Sequence, residues 1–92
     1  MQILHAVVGA DAQVVAGECY VVGVSIDDLT GDGLCAFYNE NASSKTAAQL
    51  FCTLRCTDET QFASMMFPMP GLKCDGVYAD WTSGAAYVYY YR

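Results

Sequence analysis

Any chemistry in this chain has to come from four places. Asp28-Leu29-Thr30-Gly31-Asp32-Gly33 sets acidic residues at the first and fifth positions and glycine at the sixth, as an EF-hand calcium loop does. Its third position is Thr30, and Asn39 stands where a bidentate glutamate belongs. A turn rich in Asp and Gly accounts for these residues without a metal. Gly31-Asp32-Gly33-Leu34-Cys35-Ala36 matches the dinucleotide-binding fingerprint, which works only where a helix N-terminus meets the pyrophosphate. Strand-like Phe37-Tyr38-Asn39 follows instead, and the match is accidental. Cys52 and Cys56 would share a helix face, but on a strand they stand about 13 Å apart, too far for one zinc ion without a bend. Further ligands would have to come from Cys19, Cys35, Cys74 or His5, and no C-x-x-C pair is present. His5, the one histidine, lies in an apolar run, no serine sits in a G-x-S-x-G elbow, and no histidine motif accompanies any cysteine. No catalytic residue, metal or cofactor is expected, and the chain is not read as an enzyme.

The elements that would position such groups read as strands throughout. Ile3 to Val8 is a short apolar run ended by Gly9-Ala10-Asp11. Glu18 to Ile26 follows, with Gly23 in its middle marking a bulge or a close backbone approach. Asp27 to Gly33 is a polar turn, Leu34 to Tyr38 a strand, and Asn39 to Lys45 a loop of small polar residues. Gln49 to Thr57 alternates most clearly, with Leu50, Cys52, Leu54 and Cys56 assigned inward and Thr53, Arg55 and Thr57 outward. A helical turn could begin the stretch Ser44 to Leu54, since Ala47, Ala48, Gln49 and Leu50 are good formers. Thr60 to Phe67, Val77 to Trp81 and Ala85 to Tyr91 complete the set. About seven short strands separated by regular turns predict an all-β fold, a small antiparallel β-sandwich or barrel, in one domain spanning residues 1–92.

Composition bounds the function. Hydrophobic residues make up 54 % of the chain and charged residues 15 %, against a usual charged share of about 25 %. A domain this small cannot hide that much apolar side chain in its own core, and surplus apolar surface marks association. A homo-oligomer, or a protein seated on another protein, is the expectation. The net charge is −6, and Lys45, Arg55, Lys73 and Arg92 are scattered, so no basic stripe exists to bind nucleic acid. Gly, Asp and Glu interrupt every apolar run, so no membrane span is expected. Met1 to His5 lacks the basic region and apolar stretch of a signal peptide, which makes intracellular synthesis the default. In that compartment the Asn41-Ala42-Ser43 acceptor is irrelevant, and the five cysteines read as reduced, mostly buried thiols.

The last third is the most informative stretch. Phe67-Pro68-Met69-Pro70-Gly71 ends a strand, because neither proline can donate to a ladder. Asp80 to Gly84 holds turn chemistry, and four tyrosines fall within the last six residues. In the final strand Ala86, Val88 and Tyr90 are assigned inward, which turns Tyr87, Tyr89 and Tyr91 outward. Met65, Met66, Phe67 and Met69 fit a core and an interface equally well. The interface candidates are Met66, Met69, Trp81, Tyr87, Tyr89 and Tyr91.

The run Phe67-Pro68-Met69-Pro70, Gly76-Val77-Tyr78-Ala79-Asp80-Trp81-Thr82-Ser83-Gly84 and Val88-Tyr89-Tyr90 resembles the ending of small all-β virion proteins of tailed bacteriophages. Ala36-Phe37-Tyr38-Asn39 is similar to their central aromatic strand, so the resemblance covers roughly the last sixty positions, while Met1 to Gly33 matches nothing recognised. The resemblance implies a capsid cement or decoration protein, made in the host cytoplasm and located in the virion. Its implied partners are further copies of itself and the major capsid or another virion protein. A small tail or fibre component is the neighbouring reading. The competing class is a free-standing β-sandwich binding module for a carbohydrate or protein ligand, with Trp81 and the tyrosines as a sugar platform.

Overall fold

The β-branched and aromatic runs form strands, and the Gly, Asp and Pro clusters between them turn the chain back on itself. In the computed structural model, which describes residues 2–28, 31–42 and 46–92, these strands make two antiparallel sheets packed as a small β-sandwich. Nine strands lie among the described residues: β1 (Leu4–Val8), β2 (Ala12–Val15), β3 (Cys19–Asp27), β4 (Leu34–Tyr38), β5 (Leu50–Arg55), β6 (Phe62–Met66), β7 (Leu72–Cys74), β8 (Val77–Ser83) and β9 (Ala85–Tyr91). The first sheet runs β1-β9-β3-β6, with β7 also paired to β3, and the second runs β2-β8-β4-β5. β1 comes close to β2, and β5 to β6, so the sheets approach each other along both sides.

The two strands beyond the seven expected are the short ones. Ala12–Val15 and Leu72–Cys74 are too brief for alternation to show, and each is held by a longer neighbour, β8 and β3 respectively. The helical expectation shrinks to one 3₁₀ turn, Ala47–Gln49, with no buried residue. The Asp80 to Gly84 turn narrows to Gly84, at φ 96°, because β8 continues through Ser83. Trp81 holds that extension: its backbone N–H donates to Asp11 Oδ1 (2.8 Å) and its indole N–H to the Gly84 carbonyl (2.8 Å).

The bulge expected at Gly23 is present, and the closest neighbour of this glycine is a side chain. The β3–β9 register shifts between Val21 and Gly23, and a Cβ at Gly23 would stand 2.6 Å from the Met66 sulfur. Val21 and Val24 are therefore both fully buried although three positions apart, since the extra residue switches the inward phase. The core joins Val8, Val15, Val21, Val24, Ile26, Val77 and Val88 to Phe37 and all five cysteines.

A second bulge corrects the assignment of β5. Cys52, Leu54 and Cys56 are buried as expected, but Leu50 is 46 % exposed. The β4–β5 register shifts between Phe37 and Tyr38, which reverses the phase before Cys52. Phe51 turns in instead, with its ring centroid 6.3 Å from that of Phe37 and 6.0 Å from that of Phe67.

Leu54→Asp should therefore unfold the domain, because an unpaired buried charge costs about 3–5 kcal/mol of a total near 5–15 kcal/mol. Leu50→Asp should stay within about 1 kcal/mol of the parent. Urea denaturation of the two variants checks the phase reversal, and equal losses would contradict it.

Candidate functional site

Strict alternation in β9 puts Ala86 and Val88 wholly inside and Tyr87 and Tyr89 on the opposite, outer face of the first sheet. The register extends these tyrosines into rows across the sheet. One row runs Val7, Tyr87, Ser25, Ser64; the next runs His5, Tyr89, Gly23, Met66. A third joins Tyr91, Tyr20 and Lys73, and the opposite end joins Ala85, Asp27 and Phe62. The two middle rows contain no Asp, Glu, Lys or Arg, in a chain of net charge −6. Asp27 and Lys73 stand at the two ends, so this face is an aromatic band between charged margins.

The band is ordered by its own contacts. The Tyr87 and Tyr89 rings lie 6.4 Å apart at 25°, and the His5 ring meets Tyr87 edge-on at 6.4 Å. Beneath them Ser25 is almost completely covered, and its Oγ lies 3.4 Å from the Tyr89 hydroxyl. Val7 is 66 % exposed and Met66 67 % exposed, at the two sides of the rows. Met66 lies across Gly23, where any side chain would displace it.

The sequence-predicted candidates separate into three groups. Tyr87, Tyr89 and Met66 meet on this face. Tyr91 stands at its end and is engaged within the chain: its ring stacks on Tyr20 at 5.1 Å and its hydroxyl donates to the Pro70 carbonyl (2.6 Å). That bond ties down the loop carrying Met69, which is exposed. Trp81 is elsewhere, on β8 of the second sheet, half-buried against the core. It was expected alongside the tyrosine stripe, but it sits opposite fully buried Cys35 in the ladder, so its phase is inward. Tyr90, assigned inward, packs partly buried against the core with the Arg92 guanidinium over its ring.

Sequence reasoning missed Tyr20 and Ser25 as members of this face. An odd spacing puts them on opposite faces of a regular strand, and only the bulge at Val22 brings them to one side. Gly23 was the available signal.

The other candidate chemistries have the following geometry. Leu29 and Thr30 of the calcium-like turn, and Ser43 of the glycosylation acceptor, lie outside the described residues. Asn41 Oδ1 accepts hydrogen bonds from Gln13 Nε2 (2.7 Å) and the Gly17 N–H (3.0 Å). Leu34–Ala36 of the dinucleotide-like match lies in β4, a strand that runs on to Tyr38 where the fingerprint needs a helix N-terminus. Among the described residues no three His, Cys, Asp or Glu side chains are grouped to hold a metal ion, and no enclosed pocket is present. No described helix is long and apolar enough to cross a membrane.

All five thiols are free and buried. Burial raises each of them above the usual thiol range. Cys35 is pushed up to about 12, mainly by burial and then by the carboxylates of Asp80 and Asp11. Cys74 also reaches about 12, by burial and then by neighbouring Cys19, which faces it directly across β3 and β7. Such thiols are protonated and poorly nucleophilic at neutral pH.

Comparison with protein-family models, with curated proteins and with solved structures gives no match to this chain.

The thiols predict a pH dependence. An unfolded thiol ionises near 9, while folded Cys35 and Cys74 keep their protons to about 12. Between those values the unfolded state binds fewer protons, so raising the pH favours unfolding. The thiol contribution to stability is complete below pH 9 and is lost as the pH rises toward 12. Melting temperatures across this window should fall, and Cys35→Ala with Cys74→Ala should flatten the fall while lowering stability at pH 7. An unchanged slope in the double variant would contradict these assignments.

Proposed function

We propose that this chain is a structural assembly protein that docks onto another protein through the aromatic outer face of its first sheet. The resemblance of its C-terminal part directs the reading to the virion of a tailed bacteriophage. There it would serve as a capsid cement or decoration protein, bound as a small symmetric oligomer to the major capsid protein. A tail or fibre component would use the same face.

The observation that carries the reading is the pair of uncharged rows centred on Tyr87 and Tyr89. Docking has to remove water from a surface, and removing it from charge is costly. An acidic chain that leaves charge out of two whole rows, and fills them with tyrosine, valine and methionine, matches the composition of interface centres. Tyrosine suits the role because its ring is buried on contact while its hydroxyl keeps a partner. The Ser25 Oγ lies 3.4 Å from the Tyr89 hydroxyl and Tyr87 stacks beside it, contacts that lessen the side-chain freedom to be lost on binding. A capsid offers many identical sites, and an oligomer engaging several at once multiplies modest contacts into durable attachment.

Co-sedimentation with purified capsids of the phage that encodes the chain tests this reading. Tyr89→Asp should stay folded, at a cost of about 1–2 kcal/mol, and should lose capsid binding by about 2 kcal/mol or more, mostly through faster dissociation. Undiminished binding of a folded Tyr89→Asp variant would move the contact elsewhere. Glycan binding that depends on Tyr89, without capsid binding, would favour the carbohydrate module.

A further inference from the structure

We propose that β6 is a self-pairing edge, and that two copies of this chain join their first sheets there, antiparallel, about a two-fold axis at Ser64. This goes beyond the docking face just described and stands whether or not the partner of that face is a capsid.

β6 ends the first sheet, and among the described residues it has a paired strand on one side only, β3. The direction of its unpaired backbone groups follows from the ladder. Opposite residues in β3 and β6 carry numbers that sum to 89, as in Val24 with Met65 and Ile26 with Ala63. The Asp28 N–H donates to the Gln61 carbonyl (2.9 Å) and the Phe67 N–H to the Val22 carbonyl (3.0 Å). Odd-numbered residues of this segment therefore bond to β3, because hydrogen-bonded pairs alternate with non-bonded ones. Phe62, Ser64 and Met66 point their N–H and C=O groups away from the sheet, toward whatever lies beside it.

Those three residues are spaced symmetrically about Ser64. An antiparallel second copy with Ser64 opposite Ser64 puts Phe62 opposite Met66 twice, and all three pairs are of the hydrogen-bonding kind. The seam would close about six hydrogen bonds, two per pair. The side chains are complementary in the same register. On the outer face the Phe62 ring, 56 % exposed, meets Met66, a favourable sulfur–aromatic pairing. On the inner face Met65, also exposed, meets small Ala63.

Charge selects a second copy as the occupant. Two chains of net charge −6 repel wherever carboxylates meet, yet residues 60–72 contain no charged side chain. Edge strands are ordinarily guarded by a lysine, an inward-pointing charge or a proline, and β6 has none within it. Pro68, just beyond, cannot donate to a neighbour and so limits the seam to these five residues. The other edges differ. β2 lies between Asp11 and Glu18, and β5 ends in Arg55 with Asp58 close behind. β1 also lacks Asp, Glu, Lys and Arg, but its five residues offer no comparable symmetric pairing of an aromatic ring with a methionine.

The test is the mass of the full chain in solution by light scattering and sedimentation. The parent should weigh twice 10.0 kDa at micromolar concentration. Ser64→Pro removes the central outward N–H, which has no role in pairing to β3, and Ser64→Lys sets two like charges at the axis. Each should stay folded by circular dichroism and weaken the dimer at least about 100-fold, toward 10.0 kDa. Ser64→Cys, the sole exposed thiol of its variant, should be captured by oxidised glutathione as a covalent dimer, since hydrogen-bonded pairs hold Cα atoms about 5.5 Å apart. The disulfide would form by thiol exchange, with glutathione released as the reduced thiol. Tyr89→Asp should leave the dimer intact, which separates this contact from the docking face. A parent chain that stays at 10.0 kDa would overturn the proposal, as would a dimer unaffected by folded Ser64→Lys.

Discussion

The interior of this sandwich is thin, and that thinness governs where everything else can go. Two packed sheets stand about 10 Å apart, room for one interdigitated layer of side chains. Here the layer is built from valines, alanines, one isoleucine, Leu54 and five cysteines around a single wholly buried ring, Phe37. Interiors pack at crystal-like density, so a tyrosine in place of Val88 or Ala86 would force the sheets apart. The chain nevertheless carries seven tyrosines and four methionines. With the interior already filled by small residues, Tyr87, Tyr89, Met66 and Met69 are left at the rims and on the outer face of the first sheet. The cysteines belong to the same economy of volume: a thiol is a compact apolar filler, and burial holds it protonated.

The elements that could be read from sequence were those whose side chains alternate over five residues or more. β4 and β9 have the expected bounds, and β3, β5 and β6 differ by a residue or two at their ends. What stayed hidden was phase. A bulge inserts one residue and reverses every inward assignment beyond it, and its position depends on the partner strand rather than on the strand itself. That is why Leu50 was assigned inward and is exposed, and why Tyr20 and Ser25 share a face that alternation denies them. Trp81 illustrates a different limit. Its residues look like a turn, yet a carboxylate seventy positions earlier, Asp11, captures its backbone and extends the strand. No local pattern carries a contact of that sequence separation.

Tyr87, Tyr89 and Tyr91 show that one strand face can serve two purposes. Tyr91 donates its hydroxyl to Pro70 and lays its ring on Tyr20, so it stabilises the loop between β6 and β7. Tyr87 and Tyr89 instead stack on each other with exposed Val7 and Met66 at their flanks. The difference lies in what the neighbouring strand supplies. On the β3 side Tyr91 has another ring beside it, whereas Tyr87 and Tyr89 have only Ser25 and Gly23 there. Small residues leave the upper surface of those two rings uncovered. A flat aromatic area backed by serine and glycine is stiff, because the backbone beneath it is a fully paired central strand.

Face and edge reinforce each other through β3. This strand is paired to β9 on one side and to β6 and β7 on the other, and it lies beneath the tyrosine rows as well as beside the edge strand proposed to self-pair. A copy added along β6 extends the same sheet, so the two aromatic bands would run into one surface related by the two-fold axis. Residues 60–72 and the middle rows of the face both lack Asp, Glu, Lys and Arg, so the carboxylates of the acidic chain fall in turns, at strand ends and, for Asp80, on the second sheet. Repulsion among those carboxylates then discourages every other mode of association between copies. A thin core leaves Tyr87 and Tyr89 on one outer face, and in the proposed assembly the absence of charged side chains from the middle of that face and from its adjoining edge would select how copies meet.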